Sequence, residues 1–201
     1  MRTQLTGGIL TGGQARRLQS LGDIDKGLIE LDGQPLVAHT AHKLQPYSSQ
    51  PLLISANRNK TVYQSYGQVI ADPDYLADYQ GPLAGVLAML THCTTDWLIV
   101  LPVDSPFIPA TLIPELWQAH LTQPFATAFY VQHERTYPLC LLVHRRCASS
   151  LKAYLLAGQR RVQGWLAEQA AVAVDMRHYA AEDFFNINEP IDVKNARERA
   201  F

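Results

Sequence analysis

The 201-residue sequence has no uninterrupted apolar run of the roughly 18 residues that a membrane-spanning helix requires. Its most apolar stretch, residues 97–103, is short and contains Pro102. It has no C-x-x-C pair. The three cysteines, Cys93, Cys140 and Cys147, are odd in number and widely spaced, which argues against a disulfide framework or a cysteine zinc site and leaves buried free thiols as the expectation. It also lacks an excess of charge of either sign: 17 Lys and Arg stand against 18 Asp and Glu, a net charge of -1. No global basic field therefore exists to hold nucleic acid, although a local cluster of positive groups could still take a small polyanion. The start of the chain has no charged segment followed by an apolar core, so the expectation is a soluble, cytoplasmic protein with no membrane partner.

Two phosphate-binding signatures are missing as well. The Walker pattern G-x-x-x-x-G-K-[ST] is absent, since Lys26 lies between Asp25 and Gly27. The dinucleotide fingerprint G-x-G-x-x-G is absent too, because no glycine follows Gly12-Gly13 at the required spacing. Kinase-type and dehydrogenase readings both weaken on these grounds.

What is present is a globular composition, 47% hydrophobic and 17% charged, at a length that suits one domain over residues 1–201. Short apolar runs alternate with helical patterns. Ile9-Leu10, Leu52-Leu53-Ile54 and residues 97–101 read as buried strands. Helices are expected after Pro35, with Leu36, Val37, Thr40 and Leu44 on the buried face, and after Pro82, with Leu83, Val86, Leu87 and Leu90. Residues 114–121, 151–156, 162–167 and 190–199 also read as helical. Residues 126–131 and 137–143 read as two strands around a polar turn, His133-Glu134-Arg135. The order implies a three-layer α/β architecture: a mostly parallel open sheet with right-handed crossovers and an antiparallel edge. LTGG occurs at 5–8 and again at 10–13, too little to signify a repeat.

In such a sheet, ligands bind outside the carboxyl ends of the strands. After the first strand come Thr11, Gly12, Gly13, Arg16, Arg17 and then Lys26. Glycines let backbone N–H groups approach an anion, and the cations add charge, so this loop is a candidate phosphate cradle. After the strand at 97–101 comes Pro102-Val103-Asp104-Ser105-Pro106, which puts an acid where a magnesium ion shared with phosphate oxygens would need one. Ser55 and Asn57, after the second strand, and Asp72 further on are candidates for reading a base, because a guanine edge offers adjacent donors. His39 and His42 are three apart without a third ligand, and read as packing or surface residues. Trp117 and Trp165 read as core.

Taken together, Leu10-Thr11-Gly12-Gly13, Arg17, Asp25-Lys26-Gly27, Ala56-Asn57-Arg58, Gly81-Pro82-Leu83-Ala84-Gly85, Pro102-Val103-Asp104-Ser105-Pro106 and Phe185-Asn186-Ile187-Asn188 resemble the molybdenum cofactor guanylyltransferase family. The resemblance spans residues 9–188. It implies a nucleotidyltransferase fold of glycosyltransferase-A-like, Rossmann-like architecture and transfer of GMP from GTP to the terminal phosphate of molybdopterin. Carried over, the nucleotide loop falls on Leu10, Thr11, Gly12 and Gly13, with Arg17 and Lys26 facing the triphosphate. Base-reading positions fall on Ser55 and Asp72, and the Mg²⁺ aspartate on Asp104. Gly81, Gly85, Asn186 and Asn188 fall on the pterin side. The resemblance also implies transient contact with proteins that donate and receive the cofactor. Thr11 stands where the family usually has alanine, and Ser55 where asparagine is common. Related readings remain open at this point: a molybdopterin cytidylyltransferase, a sugar- or alcohol-phosphate nucleotidyltransferase of the same fold, and a non-catalytic nucleotide or cofactor delivery module.

Overall fold

A computed structural model describes residues 4–11, 25–76 and 81–199. Along the chain come β1 (Leu5–Leu10), a short ribbon of β2 (Glu30–Leu31) and β3 (Gln34–Pro35), α1 (Leu36–Leu44), β4 (Leu53–Ser55), α2 (Lys60–Tyr63) and β5 (Gln68–Ile70). They are followed by α3 (Pro82–His92), β6 (Trp97–Pro102), α4 (Leu112–Thr122), β7 (Ala128–Gln132) and β8 (Thr136–His144). The chain continues through α5 (Ala148–Leu156), α6 (Val162–Glu168), β9 (Val172–Asp175) and α7 (Pro190–Arg199). No helix among the described residues is long and apolar enough to cross a membrane.

Among the described residues, seven strands form one sheet in the order β5-β4-β1-β6-β8-β7-β9. β1 pairs in parallel with β4 and β6, and β4 with β5. β8 runs antiparallel to both β6 and β7, while β9 is parallel to β7. The sheet is thus mostly parallel, and the antiparallel feature expected from residues 126–143 is the β7–β8 hairpin in its outer half.

The apolar runs are buried on both faces, as parallel strands covered by crossover helices must be. Alternate residues feed two separate cores. Ile9, Ile54, Ile99 and Leu101 pack with Leu36 and Leu44 of α1, Leu112 and Leu116 of α4, and Val193 and Ala196 of α7. Leu10, Leu53, Leu98 and Val100 pack on the other side with α3, α5 and α6. Trp165 of α6 is fully buried there, and truncating it to alanine should cost about 3–5 kcal/mol. α3 is buried along Leu83–Leu90 on nearly all sides, as a helix held between a sheet and a second helix should be.

Two local features depart from the pattern. β1 extends back from Ile9 through Gly7 and Gly8, residues that look like a turn by composition. A Cβ on Gly7 would stand 2.6 Å from Leu52, and one on Gly8 2.8 Å from Met89, so the glycines let both layers approach the central strand. The first LTGG is therefore strand interior, whereas the second begins at the strand's end. The strands β5 and β9 have only three and four residues, too few to set up an alternation that the sequence would announce.

Candidate active site

The carboxyl ends of β1, β4, β5 and β6 lie side by side, tied by Thr11 N–H to the Ser55 carbonyl (3.3 Å), Ala56 N–H to Ile70 (3.0 Å) and Val103 N–H to Leu10 (3.0 Å). The Thr11 hydroxyl also donates to the Ser55 carbonyl at 2.7 Å, so this side chain closes the seam between β1 and β4.

Beside this seam the sheet opens. β6 pairs with β8 only as far as Val100 opposite Leu141. On β8's other side, the step from Tyr130 to Val131 in β7 spans Leu141 to Tyr137, leaving Pro138, Leu139 and Cys140 out of the ladder. Proline has no N–H to give to a ladder, and such bulges bend the strand that carries them. The splayed ends enclose a cavity of about 350 Å³, with Pro102 to Asp104 on one wall and Arg135 to Cys140 on the other. Thr11, Lys26, Pro82 and Asn186 also line it. Pro82 opens α3, so the partial positive charge of that helix's first turn faces the cavity.

At its floor, Lys26 Nζ lies 3.0 Å from Asp104 Oδ2 and donates at 3.0 Å to Asn188 Oδ1. The two side chains are 14% and 21% exposed, enough for a ligand to reach both. Ser105 donates to Asp104 Oδ1 (3.3 Å) and to Asn186 Oδ1 (2.9 Å). The segment that carries the asparagines is pinned here by Ile187 N–H to the Asp104 carbonyl (2.8 Å). Extended backbone sends alternate side chains to opposite sides, so Ile187 enters the core while Asn186 and Asn188 both turn to the cleft. Residues 162 apart in sequence thus meet at one ammonium group.

The loop that carries Lys26 is fixed by a buried carboxylate. Asp25 accepts from Tyr63 OH at 2.6 Å, from Asn59 at 2.9 Å and from Gly27 N–H at 3.3 Å, with Arg58 Nε 3.5 Å away. Burial, and then the Asp25 carboxylate, push the Tyr63 phenol far above its usual range, so it remains a donor. On the opposite side of the Asp104 loop, Lys43 of α1 donates to the Pro106 carbonyl, and burial pulls its ammonium down to about 8. Burial, with a smaller contribution from Asp104, pushes the Cys140 thiol up, so it stays protonated and is no nucleophile.

Lys26, Asp104, Leu10, Thr11 and Asn186 are therefore brought together at one cavity, with Asn188 joined through Lys26. Asn57 and Asp72 stand at the neighbouring strand ends as a reciprocal pair: Asn57 Nδ2 donates to Asp72 Oδ2 at 2.9 Å and Asp72 N–H to Asn57 Oδ1 at 3.0 Å. Ser55 is 5% exposed and packs under α3. A Cβ on Gly85 would stand 2.3 Å from Ser55 Oγ and 2.9 Å from Leu10, so Gly85 sits beneath the β1 and β4 ends. Gly81 has φ +74 with open space around its Cβ position, a backbone requirement at the start of α3. Gly12, Gly13 and Arg17 lie outside the described residues. Sequence reasoning passed over Ser105, Asp25 and the 135–140 wall as parts of the site; the first two stood inside quoted motifs, but their distant partners are 33 or more residues away.

For a metal, Asp104 supplies one carboxylate whose oxygens face Lys26 and Ser105. No group of three or more His, Cys, Asp or Glu that could hold an ion occurs among the described residues. That set suits Mg²⁺ held jointly with phosphate oxygens and water, and does not suit an all-protein cage. His39 Nε2 donates to the Leu31 carbonyl at 2.8 Å, while Trp117 and Trp165 are buried, as expected of packing residues.

A family model described as MobA-like NTP transferase domain matches residues 7–173. The molybdenum cofactor guanylyltransferase of Vibrio cholerae is 41% identical over 184 residues, covering 90% of this chain and 86% of that protein. The enzyme of the same name from Serratia proteamaculans is 38% identical over 188 residues, covering 94% and 91%. Among solved structures, molybdopterin-guanine dinucleotide biosynthesis protein A from Archaeoglobus fulgidus superposes with a TM-score of 0.77 at 24% identity, covering 96% of this chain and 97% of that one.

Proposed function

The chain belongs to the family of MobA-like NTP transferase domains and is a nucleotidyltransferase; from that premise we propose that it transfers GMP from GTP to the terminal phosphate of molybdopterin, acting in the cytoplasm. The observation that carries the reading is the Lys26–Asp104 pair at the floor of the cavity, where a cation and an acid from different loops meet. An oxygen of the acceptor's phosphate, largely dianionic near neutral pH because its second pKa is about 6, attacks the α-phosphorus. The new O–P bond forms as the bond to the β-phosphate breaks, and pyrophosphate leaves with the electron pair. No protein nucleophile is needed, in keeping with the protonated Cys140. The protein's work is alignment and charge stabilisation.

Lys26 counters charge that develops on the phosphates, and Asn188 holds its ammonium in place. Asp104 is the residue that would hold Mg²⁺, which when bound neutralises phosphate oxygens as a Lewis acid. In the structure Asp104 offsets the Lys26 charge, so Lys26 becomes fully available to a phosphate once Asp104 is otherwise engaged. Asn57 fixes the Asp72 carboxylate, an acceptor for the adjacent N–H donors of guanine. The relatives' names support GTP over CTP. Gly12, Gly13 and Arg17 keep their proposed roles at the triphosphate, and Gly81, Asn186 and Asn188 theirs toward the pterin. Ser55 and Gly85 support the nucleotide side from below.

The test is the thermal shift with Mg²⁺ and each of GTP, CTP, ATP and NADPH, followed by pyrophosphate release on adding molybdopterin. A ligand at 100 times its Kd adds about 2.7 kcal/mol. Stabilisation by GTP that falls in Asp104→Asn, with GTP-dependent pyrophosphate release, supports the reading. A response to CTP alone makes the protein a cytidylyltransferase; no response to any nucleotide leaves a delivery module.

A further inference from the structure

A second cavity of about 680 Å³ lies beside the first, walled by the 134–137 turn, residues 181–189 and the start and end of α7. Three residues line both spaces: Arg135, Tyr137 and Asn186. An attacking phosphate must sit at this junction, because it has to reach the α-phosphorus near Lys26 and Asp104 while the rest of its molecule occupies other space. Bringing a dianion there requires a cation whose charge is not already matched.

Among the described residues, three cations line the two cavities. Lys26 is paired with Asp104 and held by Asn188. Arg199 donates to the Glu182 carbonyl, lies 3.7 Å from Asp183 and covers the Phe107 ring. Arg135 has no carboxylate partner among the described residues. Its Nε donates to Tyr137 OH at 3.0 Å, and its Cζ lies 5.0 Å from the centroid of the same ring. That leaves the two terminal nitrogens of the fork free, in the geometry that takes a phosphate by two parallel hydrogen bonds. Beyond the bulge at residues 138–140, Tyr137 re-enters the ladder opposite Val131 and Arg135 stands in the turn that follows, so both line the mouth.

We propose that Arg135, oriented by Tyr137, binds the attacking phosphate of the acceptor, a phosphate monoester carried on a larger group that fills the second cavity. The role rests on the transfer reading above. Arg135 makes and breaks no bond. It holds the acceptor oxygen in line, and Tyr137 acts as the positioning residue for its guanidinium.

The experiment measures kcat and KM for molybdopterin at saturating Mg-GTP, alongside the GTP-induced thermal shift, in the wild type, Arg135→Gln, Arg135→Lys and Tyr137→Phe. Arg135→Gln should raise the KM for molybdopterin by roughly 10- to 100-fold, the loss expected of a hydrogen bond to a charged group. Its GTP-induced shift should stay as in the wild type, which also shows that the variant is folded. Arg135→Lys should recover part of the loss, and Tyr137→Phe should show a smaller rise in KM. A wild type that turns over, with Arg135→Gln unchanged in KM or equally weakened toward GTP, overturns the role alone. A wild type that neither responds to GTP nor releases pyrophosphate overturns the transfer reading and this role together.

Discussion

Replacing Gly85 by alanine isolates how the site is supported from below. The added methyl would stand 2.3 Å from Ser55 Oγ and 2.9 Å from Leu10 Cδ2, against a floor of 3.4 Å for ordinary contact. Ser55 or α3 must therefore retreat by about 1.1 Å, since Ser55 lies in β4 and has little room to turn. Overpacking of this kind costs about 1–3 kcal/mol. Alanine returns about 1 kcal/mol through its higher helix propensity at an interior position. The net expectation is about 1 kcal/mol of destabilisation, which for a chain of this size lowers Tm by about 2–4 °C. Ser55→Gly removes the opposing atoms, so the double variant should lose less than the sum of the two single changes, by about 1 kcal/mol. Urea denaturation of the four proteins supplies the cycle, and the GTP-induced thermal shift reports the site. GTP affinity should fall in Gly85→Ala and recover in the double variant, because Leu10 and Ser55 are strand ends on the proposed nucleotide side. Strict additivity, or a defect confined to the acceptor's KM, would refute this packing argument and place Gly85 in contact with the acceptor.

Three further outcomes are expected. Lys26→Ala should lower kcat by about 10²- to 10³-fold with a smaller change in the KM for GTP, in steady-state pyrophosphate release; a change in KM alone would confine Lys26 to binding. Tyr63→Phe removes the 2.6 Å donor from a buried carboxylate, so Tm should fall by about 4–8 °C, for a loss of about 2 kcal/mol, with a fall in kcat as the Lys26 loop loosens. An unchanged Tm would show that Asp25 is satisfied without Tyr63. Lys43 titrates near 8 when folded and near 10.5 when unfolded, so the unfolded chain binds the extra proton between those values and burial of the charge stops costing stability as pH rises through the window. The wild type should therefore gain stability relative to Lys43→Met between pH 8 and 10.5, read by denaturation at each pH; parallel curves would refute it.

The long apolar strands and the helices of the chain were legible because their patterns are local. Residues 97–101 can only be buried, and the α1 stripe of Leu36, Val37, Thr40 and Leu44 is all buried as its spacing requires. Helices opened within two residues of where prolines suggested: Pro35 sits just ahead of α1, and α4 starts at Leu112, two before Pro114. The candidate site was legible in part, since Lys26, Asp104, Thr11 and Asn186 all follow strands or stand in short motifs. Asp25 was not read as structural, because its meaning lies in Tyr63, Asn59 and Arg58, all more than thirty residues on. The 135–140 wall was read as a turn and a strand and not as part of the site. Pro138 in an apolar run looks like an ordinary edge-strand proline until its register with β7 is known.

The sequence by itself determined that this is an α/β chain with glycines and cations following its first strand and an acid following its central one, because periodicity and turn chemistry act over a few residues. Only the tertiary structure decided which strand ends lie side by side, that Lys26 pairs with Asp104 and Asn188, and that Arg135, with no carboxylate partner among the described residues, stands between two cavities. Those are facts of register and close approach, set by which layers can pack against Gly7, Gly8 and Gly85 and where β8 leaves the ladder. No local pattern encodes the distance between residues brought together by the sheet.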